Sequence, residues 1–247
     1  MEISLAAEEI FNIFGFPVTN SLILAWIAMA ILIVAGAMST YRLQLVPGGF
    51  QNVVEAIFEK LYDFIKGVIG TDRDTEKVFP FLVTFFVFIL ISNWMGLLPG
   101  VGTIGIYVEE NHHEHFFPFL RAPASDLNTT LAFAVISVII TNVFGIGAIG
   151  FARHIGKFIS FKSPIAFFVG ILETIAEVAK ILSFSFRLFG NVFAGEVLLV
   201  VIGSLIPFIA PLPFLGLEIF VGFIQALVFT MLTLVFIKVA ITEVEGH

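Results

Sequence analysis

Long apolar segments separated by short polar ones make up most of the chain. Five of them have the length of a helix that crosses a bilayer, which needs about 20 predominantly apolar residues. They cover approximately residues 18–38, 79–98, 127–151, 165–206 and 214–241. At 1.5 Å per residue the fourth would be about 60 Å long, twice the hydrocarbon thickness, so we expect it to tilt steeply or to lie partly in the interface.

Residues 50–69 follow a different pattern, with apolar positions at helical spacing and polar positions on the opposite face. The apolar positions are 50, 53, 54, 57, 58, 61, 64 and 65. This pattern predicts an amphipathic helix that lies along the membrane interface and does not cross it.

Together these segments predict an all-α membrane protein with five transmembrane helices and one interfacial helix, forming a single membrane domain over residues 1–247. We expect residues 72–77 to form a hydrated linker and residues 153–162 a short basic loop. Prolines at 207, 211 and 213 predict a reversal of the chain. The last two helices, both long and tilted, would then run antiparallel.

Composition agrees with this class of protein. Hydrophobic residues make up 59% of the chain and charged residues 13%, about half the charged share of a soluble domain. The chain has no cysteine, which excludes disulfides and thiolate metal sites. We expect no cofactor and no metal. The His-His-Glu-His run at 112–115 is interpreted as a solvated loop, because adjacent histidines lack the helical spacing of metal ligands.

Lysine and arginine are unevenly distributed between the loops. Five lie between the first and second apolar segments and three between the third and fourth, whereas the N-terminal tail has none and the second loop has only Arg121. Cytoplasmic loops carry the excess of positive charge. The N-terminus is therefore predicted to lie outside and the C-terminus in the cytoplasm.

Six of the ionisable side chains inside the last two apolar segments are candidates for a function. They are Glu173, Glu177, Lys180, Arg187, Glu196 and Glu218. A guanidinium stays charged at physiological pH, and at the centre of a membrane helix it costs about 2.5–3.5 kcal/mol, so we expect a function for Arg187. For the first three residues, which lie near the cytoplasmic end, interfacial or structural and functional interpretations both stand. Glu177 and Lys180 have the i, i+3 spacing of an ion pair.

Helical geometry sorts the polar positions around Arg187. At 100° per residue, Lys180, Ser183 and Asn191 share its face, whereas Glu196 points roughly the opposite way.

The last helix carries Glu218 and Gln225 on one face, seven residues apart. If Gln225 is level with Arg187, then Glu196 and Glu218 lie about 13.5 and 10.5 Å toward the outer side. Two close carboxylates in a low dielectric cannot both ionise comfortably. This predicts a proton-relay station at the two glutamates, with Arg187 as a barrier to cations.

Four stretches resemble a known family. Residues 183–196 (SFSFRLFGNVFAGE) are similar to the signature of subunit a of F-type ATP synthases, the stator channel beside the c-ring, and so are residues 217–218 with 223–226 on the last helix. Residues 92–99 and 123–131 resemble two further segments of that family. The resemblance extends from the first apolar segment to the C-terminus.

The resemblance implies a role for each matching position. Arg187 would meet the c-ring carboxylate and separate two offset aqueous half-channels. Asn191 and Gln225 would be its polar neighbours, and Glu196 and Glu218 would line the outer half-channel. Both glutamate positions are acidic here, which is similar to the chloroplast-type arrangement.

The remaining matches extend the two paths. Asp126 and Asn128 would lie near the outer entry, whereas Glu173, Glu177 and Lys180 match positions in the cytoplasmic half.

As a whole, the resemblance implies a non-catalytic subunit that couples an ion gradient to ATP synthesis. Its partners would be the c-ring, the peripheral-stalk subunit b, the remaining ATP synthase subunits and membrane lipid, but no nucleic acid. We expect a bacterial inner membrane, with the thylakoid membrane as the alternative. Protons are the default ion, although the sequence does not distinguish them from sodium.

Two other functions agree less well with the sequence. A proton-coupled secondary transporter would use Arg187 to clamp an anionic substrate, but an odd number of spans and the lack of an internal repeat are atypical of that class. A purely structural scaffold would leave the deep polar residues unexplained.

Overall fold

The computed structural model describes residues 7–41, 48–110, 113–158, 163–207 and 209–242. Within these residues the chain forms seven α-helices and two β-hairpins. The helices are α1 (Asn20–Tyr41), α2 (Gly49–Ile69), α3 (Asp72–Gly96), α4 (Leu127–Ile149), α5 (Phe151–Phe158), α6 (Pro164–Leu205) and α7 (Pro211–Thr242). The hairpins pair β1 (Glu9–Ile13) with β2 (Phe16–Thr19) and β3 (Gly105–Glu110) with β4 (His113–Pro118), both antiparallel.

Five of these helices are long and apolar enough to cross a membrane, namely α1, α3, α4, α6 and α7. The predicted all-α membrane fold is therefore confirmed. Because successive spanning helices alternate in direction, both hairpins and the turn between α6 and α7 lie on one side, which we call the hairpin side. The short helix α5, the amphipathic helix α2 and the end of α7 lie on the other, the α5 side.

Two local expectations were wrong. Residues 72–77 are not a linker but the first turns of α3. There the negative charges of Asp72 and Asp74 stabilise the helix because they lie at the positive end of its dipole. Residues 151–158 form helix α5 and not a loop.

The two hairpins were also missed. In the first, the two-residue turn at Phe14 and Gly15 has positive φ angles of 50° and 88°, which match the twist of antiparallel strands. Phenylalanine is an uncommon residue at such a position, so the usual glycine and asparagine signal of a hairpin is weak here.

Two buried clusters hold most of the helices together, and a smaller third one around Leu24, Ala28 and Met95 joins α1 to α3. One joins α3, α4, α6 and α7 around Phe86, Ala134, Leu188 and Phe229. The other lies nearer the α5 side and joins α2, α3 and α7. Its buried members are Ile65, Ile69, Val78, Leu82, Leu234 and Ile237. Helix α3 is therefore central to both clusters.

The end of α2 is fixed by a hydrogen bond from α7. Lys238 Nζ donates to the carbonyl oxygen of Ile69 at 2.6 Å. Gly70, with a φ of 92°, ends the helix in the left-handed conformation that glycine adopts without strain. An ion pair of 2.7 Å between Lys66 and Asp72 then connects α2 to the start of α3.

Helix α6 is the least covered of the five spans. Only 11% of its most apolar window is buried, against 22–44% in the other four. Most of its large apolar side chains therefore face away from the rest of the chain.

Replacing Lys238 by Met should loosen α2. The change removes a charged donor from a helix-terminal carbonyl, an interaction worth about 1.5–3 kcal/mol, while keeping most of the apolar stem. We expect faster amide hydrogen exchange over residues 60–70 and a lower unfolding temperature of the protein in lipid nanodiscs. The control is Lys60→Met, an exposed position on α2. Equal exchange in the two variants would show that the bond does not hold α2.

Candidate functional site

The contacts between α6 and α7 set the depth of each polar residue. Gly195 of α6 lies against the Glu218 side chain of α7, whereas Phe184 contacts the Phe229 ring at 5.0 Å between centroids. Residue numbers thus fall along α6 as they rise along α7, so the two helices are antiparallel. Arg187 lies between these contacts, and the same register brings it level with Gln225.

The polar residues therefore occupy three levels. Two glutamates lie nearest the hairpin side, Arg187 lies in the centre, and a mixed-charge cluster lies nearest the α5 side.

At the central level, Arg187 is exposed and points away from the core. Its neighbours Phe184, Ser185 and Leu188 occupy the buried face of α6. One guanidinium nitrogen lies 3.5 Å from Ser183 Oγ, which is long for a hydrogen bond. In the part of the chain that the structure describes, no carboxylate lies within 4 Å of this guanidinium. The described part of the chain thus leaves this charge facing outward and without a carboxylate that neutralises it.

The other two polar residues near this level do not bond to the arginine. Gln225 is buried on α7 and Asn191 is half-buried on α6. Among the described residues, neither hydrogen bonds to Arg187. They share its level without contacting its guanidinium.

At the hairpin-side level, Glu196 and Glu218 come from different helices. The Glu218 carboxylate lies so close to Gly195 that a Cβ atom there would overlap it. Because Glu196 is the next residue along α6, the two acidic side chains lie at one depth.

Arg121 joins this pair from the loop after β4. Its Nε lies 3.7 Å from Glu196 Oε2, and the two side chains are 5% and 28% exposed. The same Nε donates to Ser125 Oγ at 3.1 Å. From the sequence Arg121 counted only as a loop charge. The signal available was its isolation, as an arginine in an otherwise cation-free loop just before a span.

Asp126 has a structural role at the start of α4. It caps the start of α4 by accepting a hydrogen bond from the Asn128 backbone N–H at 3.0 Å. Its carboxylate also accepts from Ser21 Oγ at 3.0 Å and from Thr129 Oγ1 at 3.2 Å. Asp126 is therefore buried and holds α4 against α1, whereas the Asn128 side chain is exposed.

On the α5 side, the predicted pair of Glu177 and Lys180 is confirmed, with Nζ and Oε1 2.6 Å apart. The Lys180 ammonium also lies 4.7 Å from the centre of the Phe236 ring. Glu173 is half-buried one turn earlier on the same helix.

Helix α5 contributes a buried histidine to this cluster, which the sequence interpretation did not assign. His154 Nε2 lies 2.7 Å from Asn142 Oδ1, and the Asn142 amide extends to Glu177 Oε2 at 3.5 Å. Gly145 makes room for the ring, because a Cβ atom there would come within 2.9 Å of the imidazole. Burial lowers the pKa of His154, assisted by Lys157 and opposed by Glu177 and Glu173.

The sequence predicts that the chain binds no metal ion, and the structure describes only part of its histidine and acidic side chains. Across the described segments, no group of three or more histidine and acidic side chains could hold a metal ion. The side chains of residues 112–115 lie outside that description.

These features define a class, a multi-pass membrane protein with ionisable side chains at several depths of its last two spans. A family model described as ATP synthase A chain matches residues 22–238. The ATP synthase subunit a of Moorella thermoacetica is 32% identical over 239 residues, which cover 97% of each chain. That of Geotalea uraniireducens is 34% identical over 224 residues, covering 90% of this chain and 86% of the relative. That of Campylobacter jejuni subsp. doylei is 32% identical over 217 residues, 88% of each chain.

The chain belongs to the family of subunit a of F-type ATP synthases. The resemblance of its motifs is thus confirmed. Membership gives it a role in F0, the proton-translocating part of ATP synthase, in an energy-transducing membrane. Subunit a of F0 is not itself catalytic.

The docking of α5 should depend on pH through His154. Its pKa in the folded protein lies below the ordinary 6.5, so under pH 6.5 the unfolded segment binds more protons than the folded one. The stability that neutral His154 contributes is therefore complete above pH 6.5 and is lost as pH falls below 6.5 and through the lower pKa of the folded state. We expect hydrogen exchange over residues 151–158, corrected for the intrinsic rate, to lose protection between pH 7.5 and 5.5.

The control is His154→Gln, whose amide can still donate to Asn142 but does not titrate. This variant should keep the same protection at both pH values. An equal acid-induced loss in the two proteins would contradict the assignment to His154.

Proposed function

We propose that this subunit moves protons through two offset half-channels against a rotating c-ring and so couples the transmembrane gradient to ATP synthesis. The observation that carries the proposal is the exposed Arg187, which this chain leaves without a carboxylate partner among its described residues. A permanent charge amid apolar sequence is costly unless something outside the chain compensates it. A carboxylate on a neighbouring rotor subunit would do so.

The surface around Arg187 favours a closely approaching helix as the partner. Small side chains on the exposed face of α6 surround the arginine. They are Ala179, Ser183, Gly190 and Ala194. The exposed side of α6 also carries large apolar side chains such as Ile175, Phe186 and Val201. Small residues permit close helix packing in membranes, so we place the c-ring on this face.

The proposed mechanism depends on the charge of Arg187. A cation next to a carboxyl group favours its ionised form, so each rotor carboxyl must lose its proton before it passes. The arginine also opposes direct passage of protons between the two half-channels. A charge that crosses the full potential gains about 2.3 kcal/mol per 100 mV, which becomes available for rotation when the path is divided at mid-membrane. Asn191, Gln225 and Ser183 are the polar groups that we place near this barrier.

The two half-channels would use the other two levels. On the hairpin side, which we take as the outer side, Glu196 and Glu218 line the path and Asp126 with Asn128 lies near its entry. On the α5 side the path would run past the cluster described above. Its channel-lining candidates are Glu173, Glu177 and Lys180.

The remaining assignments belong to the same proposal. The N-terminus would lie outside and the C-terminus in the cytoplasm of a bacterial inner membrane, with the thylakoid membrane as the alternative. The peripheral-stalk subunit b and the other ATP synthase subunits would complete the complex. Co-purification with a c-ring tests these assignments, whereas ion transport by the isolated chain would favour the proton-coupled transporter.

Replacing Arg187 by Ala should abolish ATP-driven proton pumping and permit passive leak, because the barrier between the half-channels loses its charge. The assembled complex in proteoliposomes reports pumping by a pH-sensitive dye, and leak is measured under an imposed potential without ATP. The control is Arg153→Ala, an exposed arginine on α5. Coupled pumping at the wild-type rate in Arg187→Ala would overturn the proposal.

Replacing Gly195 by Ala should slow proton flux without unfolding the protein. The added methyl group displaces the Glu218 carboxylate, which is the flexible end of its side chain and can move away. A misplacement of about 1 Å at a reacting group can cost up to 100-fold in rate, so we expect about a ten- to hundredfold loss.

The matched control is Gly147→Ala on α4, where a Cβ atom would meet nothing within 4 Å. Flux is measured in the same proteoliposomes at equal complex content. Similar flux in the two variants would show that proton translocation does not depend on the position of the Glu218 carboxylate.

A further inference from the structure

We propose that His154 is a positioning residue for the half-channel on the α5 side, because through Asn142 it holds the Glu177 carboxylate in its ion pair with Lys180. This inference rests on the proposed function, since it assigns a task within the path on that side. The hydrogen bonds that carry it connect α5, α4 and α6.

Helix α5 approaches both of its neighbours closely at a glycine. Gly145 of α4 lies against the His154 ring, where a Cβ atom would come within 2.9 Å of the imidazole. Gly170 of α6 lies against the carbonyl oxygen of Phe158, so that a Cβ atom there would overlap it. His154 is 5% exposed, and its ring packs against that of Phe158 with 5.7 Å between the centroids. The fold therefore holds the imidazole in a defined place against α4.

The direction of the hydrogen bonds follows from the carbonyl oxygen of Val138. This oxygen can only accept, and it lies 2.8 Å from one end of the Asn142 side-chain amide, which must therefore be the nitrogen. The Asn142 Oδ1 atom then faces His154 Nε2 at 2.7 Å, so Nε2 must carry the proton that Asn142 accepts. His154 Nδ1 is buried without a hydrogen-bond partner among the described residues. A proton on Nδ1 would be a buried donor without an acceptor, which favours the neutral ring protonated on Nε2.

The Glu177 carboxylate has a donor beside each of its oxygens. Lys180 Nζ donates to Oε1 at 2.6 Å, and the Asn142 amide nitrogen points to Oε2 at 3.5 Å. The second contact is long for a hydrogen bond, so it orients the carboxylate more than it binds it. Without the bond from His154, the Asn142 oxygen would lack its donor and the amide could turn away from Glu177. The carboxylate would then lose the contact that fixes its second oxygen.

The charge of Lys180 connects this pair to proton passage. Lys180 lies on the same face of α6 as Arg187, seven residues earlier and about 10.5 Å away along the helix axis. An unpaired ammonium at this depth would repel a proton that moves between the rotor carboxylate and the α5 side. Among the described residues, Glu177 carries the one carboxylate within 4 Å of this ammonium. A displaced Glu177 would therefore leave the charge of Lys180 in the path.

The test measures proton flux at pH 7.5 through the assembled complex in proteoliposomes, at equal complex content. His154→Gln keeps a donor toward Asn142 and should keep flux within about twofold of wild type. His154→Phe keeps a ring beside Phe158 but has no donor. We expect it to lose about tenfold in flux, less than the roughly hundredfold that a misplaced reacting group can cost.

Asn142→Leu interrupts the same chain of hydrogen bonds and should lower flux to the level of His154→Phe. Because both changes act on one interaction, the double variant should be no slower than either single variant. Asn52→Leu, an exposed position on α2, controls for the loss of an asparagine and should have wild-type flux.

A variant of Glu177 separates positioning from a merely structural role of His154. Glu177→Gln leaves Lys180 without its anion and should itself lower flux by about tenfold. Adding His154→Phe should then change nothing, because the charge on which His154 acts is already gone. If His154 only held α5 in place, the added change would lower flux further. Where His154→Phe does not assemble, Asn142→Leu in the Glu177→Gln background makes the same comparison.

The direction of the hydrogen bonds can be measured without proton flux. With the subunit labelled with ¹⁵N-histidine in the assembled complex, solid-state NMR at pH 7.5 should show His154 protonated on Nε2. The signal is identified by its loss in His154→Gln. In Asn142→Leu the Nε2 proton loses its acceptor, so the signal should shift.

Four results would each overturn the inference. They are equal flux in His154→Phe and His154→Gln, multiplied losses in the double variant with Asn142→Leu, a further loss on adding His154→Phe to Glu177→Gln, and a His154 ring protonated on Nδ1 alone.

The two proposals fail separately. Any of these four results together with lost pumping in Arg187→Ala would reject the role of His154 and keep the proposed function. Coupled pumping in Arg187→Ala would reject the proposed function itself.

Discussion

Helix α6 buries one face against the chain and leaves the other uncovered, and this one-sided packing decides where each charge of the site lies. Phe184 and Leu188 face the core, whereas Arg187, between them in sequence, faces outward. Contacts with α7 then fix the depth, since Gly195 meets Glu218 and Phe184 meets Phe229. A shift of α6 along its axis by one turn would separate the two glutamates by about 5.4 Å in depth.

The three levels differ in how their charges are compensated. On the α5 side, Glu177 and Lys180 neutralise each other within one helix. On the hairpin side, compensation for Glu196 comes from a distant loop through Arg121. At the centre, Arg187 has no such partner among the described residues. An ion pair within the chain suits groups that keep their charge. A charge without such a pair can interact with a carboxylate that arrives and departs.

The sequence predicted the features that depend on local periodicity. Apolar length predicted the five spans, helical spacing predicted the Glu177–Lys180 pair, and the shared depth of Glu196 and Glu218 followed from an assumed antiparallel register. Features that depend on contacts distant in sequence were missed, such as Arg121 beside Glu196 and His154 beside Asn142. Helix α3 began earlier than predicted because its first turns are charged, and charge was taken as a sign of a linker.

The packing of α3 on α7 fixes the backbone of α7 next to Glu218. Asn93 Nδ2 donates to the carbonyl oxygen of Gly222 at 3.1 Å, and Trp94 Nε1 donates to that of Ile219 at 3.0 Å. A carbonyl oxygen has two lone pairs, so these bonds add to the helical ones. They hold the backbone of α7 immediately after Glu218. The backbone beside Glu218 is therefore held in place, and the absence of a side chain at Gly195 leaves the space that the Glu218 carboxylate occupies.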